Sequence, residues 1–253
     1  MRQEISAAGC AERIRSARRV VALTGAGIST AAGVPDFRGP GGIYTTGRYD
    51  PQATFEIDGF LRDPAPFFRF TRDVLGLVAD LEPTLTHRFL VGLEAAGTLR
   101  TVITQNIDPL HQRAGSRGVI AVHGGYWTSH CLACRGRFSL DELLGLLERS
   151  PVPFCSCGGV VKPDVVLFGE PVYAMEEAVA AVAAADLLLV LGSSLAVYPA
   201  AWLPEVAECP VVVVNRGPVE LAAAPDRFFA DAELDPFFSE VARELGMAIP
   251  EPD

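Results

Sequence analysis

Short apolar runs recur along the chain and suggest a protein built around a sheet. Each run is four or five residues long, rich in β-branched residues or leucine, and alternates little between apolar and polar positions. Strands covered on both faces have no polar side, so such runs predict a parallel sheet. The six predicted strands are Val20–Leu23, Thr101–Thr104, Val119–Val122, Val165–Phe168, Leu187–Leu191 and Val211–Val214.

Helical patterns separate several of these strands. Asp63-Pro64 predicts the start of one helix, and a second runs from about Leu85 to a C-cap at Gly97. The capping box that begins at Ser139 and the pair Asp235-Pro236 predict two more. Strands that alternate with helices predict an α/β fold, with a doubly wound parallel sheet in a Rossmann-like domain.

Glycine or hydrogen-bonding side chains follow every one of the six runs. Gly25 follows the first run, Gln105 the second, His123 the third and Asn215 the last. Ligands of open α/β sheets bind beyond the carboxyl ends of the strands. Although any strand must end in turn residues, this repeated polarity predicts a single polar crevice at one edge of the sheet.

The composition narrows the class of protein. The chain has 253 residues, of which 49% are apolar and 21% charged, as in ordinary globular proteins. No apolar run approaches the roughly 20 residues of a membrane span. The net charge of −10 argues against a nucleic-acid partner. The first residues carry no apolar signal core, so we expect a cytoplasmic protein. The oligomeric state is left open, with a monomer favoured.

Four of the six cysteines lie close together in the chain and predict a structural zinc site. Two residues separate the first pair, one separates the second, and about twenty lie between the pairs, a spacing typical of zinc ligands. A redox dithiol is the alternative. His130 is a possible substitute ligand, and the two remote cysteines, Cys10 and Cys209, are expected to be buried. The predicted metal ligands are Cys131, Cys134, Cys155 and Cys157.

Gly25-Ala26-Gly27 follows a predicted buried strand and is a candidate phosphate loop. Glycines there allow close approach of a phosphate, which the N-terminus of a following helix favours. Gly33 comes too late for the usual dinucleotide fingerprint, and no acidic residue closes a strand about twenty positions on. We therefore expect a dinucleotide or phosphate loop of a variant kind, with a simple glycine-rich turn as the alternative.

Three further segments carry candidate chemistry. In Pro35–Gly39, Arg38 can clamp a pyrophosphate and Phe37 can cover an aromatic ring, unless Asp36 and Arg38 simply pair in a turn. Gln105–Asp108 offers amides and a carboxylate that suit a carboxamide, although Asp108 can equally cap a helix. His123 is a candidate general base.

These motifs, taken in order, resemble the sirtuin family, in particular its compact prokaryotic members. The resemblance covers roughly Val20 to Asp231. It rests on Gly25-Ala26-Gly27-Ile28-Ser29, Pro35-Asp36-Phe37-Arg38-Gly39, Thr104-Gln105-Asn106-Ile107-Asp108, His123-Gly124, the four cysteines, Phe168-Gly169-Glu170, Gly192-Ser193-Ser194-Leu195 and Asn215.

The resemblance implies an NAD-dependent protein-lysine deacylase and assigns roles to residues. The implied catalytic residues are His123 as general base, with Asn106 and Asp108. The implied NAD contacts are Gly25, Ala26, Gly27, Ser29, Asp36, Phe37, Arg38, Gln105, Asn106, Ile107, Asp108, Gly192, Ser193, Ser194, Asn215, Arg216, Gly217, Asp231 and Ala232. The implied substrate contacts are Val166, Phe168, Gly169, Glu170 and Val197, where the peptide adds as a strand.

The implied reaction consumes NAD as a co-substrate, releases nicotinamide and transfers the acyl group of an acyl-lysine protein or peptide to ADP-ribose. Thr71 and Val74 occupy the positions that we assign to the Tyr-x-x-Arg pair of succinyl-preferring members, so neutral acyl groups are expected. Mono-ADP-ribosyl transfer or NAD hydrolysis at the same site is the alternative activity. A non-catalytic NAD sensor is a third hypothesis, against which His123, Asn106 and Asp108 argue.

The expected domain organisation follows from these assignments. The discontinuous Rossmann-like NAD-binding domain comprises residues 1–38, 98–127 and 162–253. Residues 39–97 form a cofactor-binding loop and helical module, and residues 128–161 form the zinc-binding module. Within the former, Gly39 to Phe60 shows weak periodicity and is expected to be a mobile loop that closes over NAD.

Overall fold

A computed structural model of the chain describes residues 2–36, 42–43 and 46–251. The strands are β1 (Gln3–Glu4), β2 (Val20–Thr24), β3 (Leu99–Thr104), β4 (Val119–Ala121), β5 (Gly124–Cys131), β6 (Arg137–Ser139), β7 (Val161–Val165), β8 (Leu187–Leu191), β9 (Val211–Asn215) and β10 (Arg227–Asp231). The α-helices are α1 (Ala7–Ser16), α2 (Pro51–Phe55), α3 (Ile57–Arg62), α4 (Ala65–Val78), α5 (Leu85–Ala95), α6 (Leu110–Arg113), α7 (Leu140–Arg149), α8 (Met175–Ala183) and α9 (Leu234–Leu245). Among the described residues, no helix is both long and apolar enough to cross a membrane.

The chain folds into two compact units. The larger comprises Met1–Val34, Leu81–Val122 and Ala174–Asp253, and the smaller comprises Pro35–Asp80 and His123–Tyr173. Helix α5 belongs to the larger unit because it packs on β3 and α9, whereas the sequence analysis grouped it with residues 39–97. The boundaries of the three predicted modules therefore stay a prediction.

The larger unit contains a seven-stranded parallel sheet with helices on both faces, which confirms the predicted fold class. Its strand order is β1-β10-β9-β8-β2-β3-β4. Alternate residues of β8 point to opposite faces: Leu187 and Leu189 pack towards α1, α5 and α9, and Leu188 and Val190 pack in the core that α8 covers. Both faces of the sheet are buried, which explains why the central strands are unbroken apolar runs in the sequence.

One predicted strand was placed wrongly, and four strands were not predicted: β1, β5, β6 and β10. The run Val165–Phe168 was expected in the parallel sheet, but the strand there is β7, which pairs antiparallel with β5 in a separate sheet. Because β7 contains Lys162 and Asp164, its full length was not recognised as an apolar run. Strand β10 was not predicted from the sequence, because arginines and not apolar residues cover its aromatic side chains. The Arg13 guanidinium lies 3.5 Å from the Phe228 ring centroid.

The smaller unit combines a three-stranded antiparallel sheet, β6-β5-β7, with helices α2, α3, α4 and α7. The expectation of a loop over Gly39–Phe60 was wrong for its second half, which forms α2 and most of α3. Asp50 caps α2 by accepting a hydrogen bond from the Ala53 N–H at 2.9 Å, and Pro51 stands at the first turn. The buried Phe55 and Phe60 anchor the two short helices.

The helix termini follow the sequence signals closely, but one predicted capping residue caps a different helix. Ser139 and Glu142 form the predicted capping box of α7, and Gly97 follows α5 with a φ of +74°. Asp235 lies in the first turn of α9, as predicted, but its carboxylate accepts hydrogen bonds from the N–H groups of Leu85 and Thr86. Asp235 therefore caps α5 and ties the two helices together.

Candidate active site

The carboxyl ends of the parallel strands meet at one edge of the larger unit. In the register of the sheet Thr24 pairs with Thr104 and with Leu191, Leu191 pairs with Val214, and Asn215 pairs with Asp231. The loops that follow these residues contain most of the predicted NAD contacts. The predicted polar edge therefore exists on this sheet, with the exceptions of His123 and of the segment after Val165, which belong to the smaller unit.

Three glycines allow the first of these loops to pack on a neighbouring loop. A Cβ on Gly25 would lie 2.8 Å from the Gly192 carbonyl oxygen, and one on Gly27 would lie 2.7 Å from the Gly192 Cα. Gly192 has a φ of +62°, and its N–H bonds to the Val214 carbonyl. Glycine is therefore required here by contact between two loops, which leaves the half-buried backbone around Ala26 at the edge of the sheet.

A buried polar network joins the glycine loop to the segment after β3. The Ser29 hydroxyl donates to the Asp108 carboxylate at 2.9 Å, and the Asn106 amide donates to the Ser29 oxygen at 3.1 Å. The other carboxylate oxygen of Asp108 accepts from the Leu110 N–H, so the predicted helix cap is present as well. Ser29, Asn106 and Asp108 are all buried, while Ile107 between them is half-buried.

The environment of Asp108 shifts its acidity. Burial raises the pKa of the Asp108 carboxyl above its ordinary value, and the hydrogen bonds from Leu110 and Ser29 oppose that shift. A carboxylate buried in this way keeps lone pairs free to accept a further hydrogen bond. Together with the Asn106 amide, it forms a site that suits a planar ligand carrying both a donor and an acceptor.

The loop after β8 provides hydroxyl groups beside this network. Gln105 donates its side-chain N–H to the Ser193 oxygen at 2.9 Å, and the same oxygen accepts from the Leu195 N–H. The carbonyl of Ser194 accepts from the Glu220 N–H. Ser193 is thus oriented by two donors, and its hydroxyl hydrogen can be directed at a ligand.

The predicted adenosine contacts lie together at the ends of β9 and β10. Asn215 donates its side-chain N–H to the Arg216 carbonyl at 3.1 Å, and the Gly217 N–H donates to the Asp231 carboxylate at 3.0 Å. Arg216 forms an ion pair with Glu233, and Ala232 is half-buried next to Asp231. These five predicted residues therefore form one exposed, hydrogen-bonded corner of the larger unit.

Two buried histidines, His87 and His111, support the residues that flank the glycine loop. His111 Nε2 lies 2.9 Å from the Thr24 hydroxyl, and Thr84, which donates to the Ile28 carbonyl, lies 2.8 Å from His87 Nδ1. Burial lowers the pKa of His87 to about 3 and that of His111 well below its usual value. Both rings are therefore neutral at physiological pH.

In the smaller unit, His123 and the predicted substrate residues of that unit lie together. The His123 carbonyl accepts from the Val166 N–H at 3.0 Å, which aligns the start of β5 with the turn that follows β7. Gly124 has a φ of +65°, and a Cβ there would lie 1.7 Å from the Asp164 carbonyl oxygen. Phe168 and Gly169 are exposed on that turn, whereas Val197 belongs to the larger unit.

The segment Pro35–Gly39 is described only at its start. Asp36 is half-buried, and its carbonyl accepts from the Ile43 N–H at 2.8 Å. The predicted contacts Phe37 and Arg38 lie outside the described residues. Their assignment to NAD stays a prediction.

The four predicted metal ligands form one cluster in the smaller unit. All four sulfur atoms lie within 4.8 Å of one another, and Cys131 Sγ is 3.5 Å from Cys157 Sγ. Tetrahedral zinc with bonds of about 2.3 Å separates its sulfurs by roughly 3.8 Å, so this donor set fits the ion. The Cys134 N–H lowers the pKa of the Cys131 thiol to about 6, which favours the thiolate that metals bind. His130 is engaged elsewhere, at 2.7 Å from the Asp164 carboxylate.

Comparison with known proteins identifies the family. The model of the Sir2 family matches residues 25–199. The chain belongs to the Sir2 family. It is 44% identical over 210 residues to an NAD-dependent protein deacetylase of Thermotoga maritima, covering 81% of this chain and 84% of that protein. It is 41% identical over 244 residues to NAD-dependent protein deacylase 2 of Pyrobaculum aerophilum, covering 93% and 96%.

Solved structures of Sir2 proteins have the same fold. One, with a deacetylated p53 peptide and 3'-O-acetyl ADP ribose, superposes with a TM-score of 0.89 at 37% identity and covers 96% of this chain and 100% of that one. Another, with a p53 peptide and NAD+, has a TM-score of 0.84 at 38% identity and covers 93% and 96%. The resemblance inferred from the motifs is therefore confirmed at the level of family and fold.

Proposed function

We propose that this protein is an NAD-dependent protein-lysine deacetylase that transfers the acyl group to ADP-ribose and releases nicotinamide. The observation that carries the proposal is the buried Ser29–Asn106–Asp108 network at the carboxyl edge of a Sir2-family sheet. Burial raises the pKa of the Asp108 carboxyl, and a perturbed carboxyl at the ligand-binding edge of an α/β sheet favours a binding role over a purely structural one.

The network suits the carboxamide of nicotinamide. Asp108 accepts a hydrogen bond from the amide N–H, and Asn106 offers an amide of its own, so both ends of the carboxamide are matched. Ser29 holds the two side chains in place through its single hydroxyl. The glycine loop and the corner at Asn215 and Asp231 extend the same edge towards the phosphates and the adenosine.

The chemistry divides between the co-substrate and the protein. NAD supplies a cationic nicotinamide as leaving group and a ribose carbon that accepts the amide oxygen of the acyl-lysine. One imidazole nitrogen of His123 accepts a proton from a ribose hydroxyl, so that His123 acts as the general base. One water is consumed overall, and the products are nicotinamide, O-acetyl-ADP-ribose and the free lysine.

The substrate is an acyl-lysine peptide with a neutral acyl group. We assign Val166 and Phe168 to the acyl-lysine and the exposed backbone at Gly169 to strand pairing with the peptide. Thr71 is fully buried, and the guanidinium of the neighbouring Arg72 is engaged by the carbonyls of Leu147, Ser150 and Pro151. Arg72 is therefore not available to an acyl carboxylate.

The zinc is structural and the compartment is reducing. Four thiolates complete a tetrahedral shell, so Cys131, Cys134, Cys155 and Cys157 would hold the ion without an open position for chemistry. Cysteine thiolates persist as ligands where disulfides are disfavoured, which supports a cytoplasmic protein.

Identification of the products tests the proposal. The purified protein is incubated with NAD and an acetyl-lysine peptide, and the products are quantified by mass spectrometry. We expect equimolar nicotinamide, O-acetyl-ADP-ribose and deacetylated peptide, with much slower turnover of a succinyl-lysine peptide. Free ADP-ribose alone, or a peptide carrying ADP-ribose, would instead establish NAD hydrolysis or ADP-ribosyl transfer, and equal turnover of the two peptides would refute the acyl preference.

A further inference from the structure

The turn that follows β7 rests on the only lysine in the protein. The chain contains 20 arginines but a single lysine, Lys162, and the side chain of that residue is 1% exposed. Its ammonium group donates to the Val165 carbonyl at 2.8 Å and to the Glu170 carboxylate at 2.9 Å. A buried cation is therefore placed directly beneath residues 165–170.

Glu170 closes the same turn from its other end. The carboxylate oxygen that contacts Lys162 also accepts from the Leu167 N–H at 2.9 Å, and the Glu170 N–H donates to the Leu167 carbonyl at 3.0 Å. Glu170 is among the predicted substrate contacts, and that assignment stays a prediction. Its carboxylate bonds to Lys162 and to the backbone of the turn.

The restrained turn is the one that presents the assigned substrate residues. Phe168 donates its N–H to the Phe55 carbonyl at 2.8 Å and accepts from the Ile57 N–H at 2.9 Å, so the backbone is held on a second side. Gly169 has a φ of +94°, and a Cβ there would lie 2.9 Å from Ile57 Cγ2. Phe168 and Gly169 nevertheless remain exposed at the tip.

A lysine suits this position better than the arginine that the chain uses elsewhere. An ammonium group is compact and directs its donors in three directions, whereas a guanidinium is a broad planar fork. Burying an ion pair brings little net stability, because desolvation offsets the attraction between the charges. Such a pair does impose one geometry on the groups that it joins, which points to a role in shaping the turn.

We propose that Lys162 and Glu170 are positioning residues for the peptide substrate. The pair pre-forms the turn around Phe168 and Gly169 in the conformation that pairs with an extended acyl-lysine peptide. The inference rests on the proposed function, because it names how the same substrate site is built. Pre-forming a binding loop lowers the ordering cost of binding and so acts on affinity rather than on the chemical step.

Kinetics of Lys162→Met test this role. Methionine has similar length and removes the charge, while Glu170 is partly exposed and can be hydrated. We expect the KM for an acetyl-lysine peptide to rise about tenfold, equivalent to about 1.4 kcal/mol of binding free energy. The kcat and the KM for NAD should stay close to those of the wild type, and Glu170→Gln should shift the peptide KM in the same direction.

Matched measurements separate this role from a loss of folding. Arg243→Met removes one partner of an exposed ion pair with Glu240 on α9 and should leave the peptide KM unchanged. Zinc content and the circular dichroism spectrum verify that each variant is folded. A folded Lys162→Met protein whose peptide KM equals that of the wild type would overturn the inference. So would a folded variant in which kcat and the KM for NAD change as much as the peptide KM does.

A second measurement needs no variant. Because Lys162 is the only lysine, 13C-lysine labelling gives a single set of side-chain NMR signals. Because the turn is pre-formed, we expect these signals to change little when unlabelled acetyl-lysine peptide saturates the wild-type protein. A large change on binding would show that the turn forms only with the peptide and would contradict the positioning role, even if deacetylation itself is observed. Absence of any peptide-dependent turnover by the wild type would instead refute the proposed function.

Discussion

At the scale of single residues, the proposed binding of NAD depends on polar groups that are buried from solvent. Ser29, Asn106 and Asp108 form a chain of hydrogen bonds whose members are almost inaccessible to solvent. The His87 and His111 rings contact each other edge to face with their centroids 4.6 Å apart, and they hold Thr84 and Thr24 in place. The neutral histidines let a polar layer lie under the binding edge without burying a charge.

The two histidines should make the stability of the protein depend on pH. Their pKa values are lowered in the folded state by burial, whereas an unfolded histidine titrates near 6.5. The unfolded chain therefore binds more protons below pH 6.5, so stability is full above that pH and falls as the pH decreases towards the folded pKa. Between pH 7.5 and 5.5 we expect each histidine to reduce the free energy of unfolding by about 1.4 kcal/mol.

Urea unfolding of the wild type and of His87→Gln checks this expectation. Glutamine at this position of the helix can still accept the Thr84 N–H that His87 Nδ1 accepts, so the cap of α5 is kept. The variant should lose about half of the pH dependence that the wild type shows. An equal loss of stability on acidification in both proteins would show that other groups are responsible.

At the scale of elements, one arginine connects helix α4 to the end of α7. Arg72 donates to the carbonyls of Leu147, Ser150 and Pro151 at 2.7–2.9 Å, which satisfies groups that a helix C-terminus leaves without partners. We expect Arg72→Met to lower the free energy of unfolding by about 2 kcal/mol, the usual scale for hydrogen bonds from a charged donor.

Arg69→Met is the matched control for that variant. Arg69 lies on the same helix with its side chain exposed, and surface substitutions of this kind change stability by less than about 0.5 kcal/mol. Urea unfolding monitored by circular dichroism compares the two variants. Similar midpoints for Arg72→Met and Arg69→Met would mean that the contacts of Arg72 do not stabilise the smaller unit.

The elements also show what the sequence could predict. Strands β2, β3, β8 and β9 were identified because both of their faces are apolar, and the loops that follow them were identified from their glycines and amides. Strand β7 was misplaced because Lys162 and Asp164 bond within a small antiparallel sheet that only tertiary contacts define. The sequence likewise does not show that Asp235, a residue of α9, caps α5, because its hydrogen-bond partners lie about 150 residues away.

At the scale of the whole molecule, the cysteine cluster joins segments that are distant in the chain. Cys131 ends β5, whereas Cys155 and Cys157 precede β7, and the residues between them form β6 and α7. A unit of this size has a limited apolar core, so a bound metal contributes directly to its folding. The expected ion is zinc at one per chain.

Removal of that metal should unfold the smaller unit and abolish turnover. We expect a strong chelator, or the substitution Cys134→Ser, to lower the thermal midpoint and to remove activity, because the sheet that carries His123 and β7 loses its crosslink. Cys209→Ala, at a cysteine of the larger unit, should keep its zinc. Metal analysis and calorimetry decide the matter, and full activity of a zinc-free protein would contradict a structural role.

Coupling between cleavage of NAD and the presence of an acyl-lysine is the central feature of the proposed activity. Its most direct test is the rate of nicotinamide release from NAD, measured with and without an acetyl-lysine peptide, in the wild type and in His123→Ala. His130→Gln serves as a control histidine in the same unit, because its ring is bonded to Asp164 and has no assigned role in the reaction. We predict that release sustained over many turnovers requires the peptide and falls by at least about a hundredfold in His123→Ala, the scale of general base catalysis, because His123 acts after nicotinamide has left. Release that is equally fast without peptide, or that survives in His123→Ala at the wild-type rate, would contradict the account.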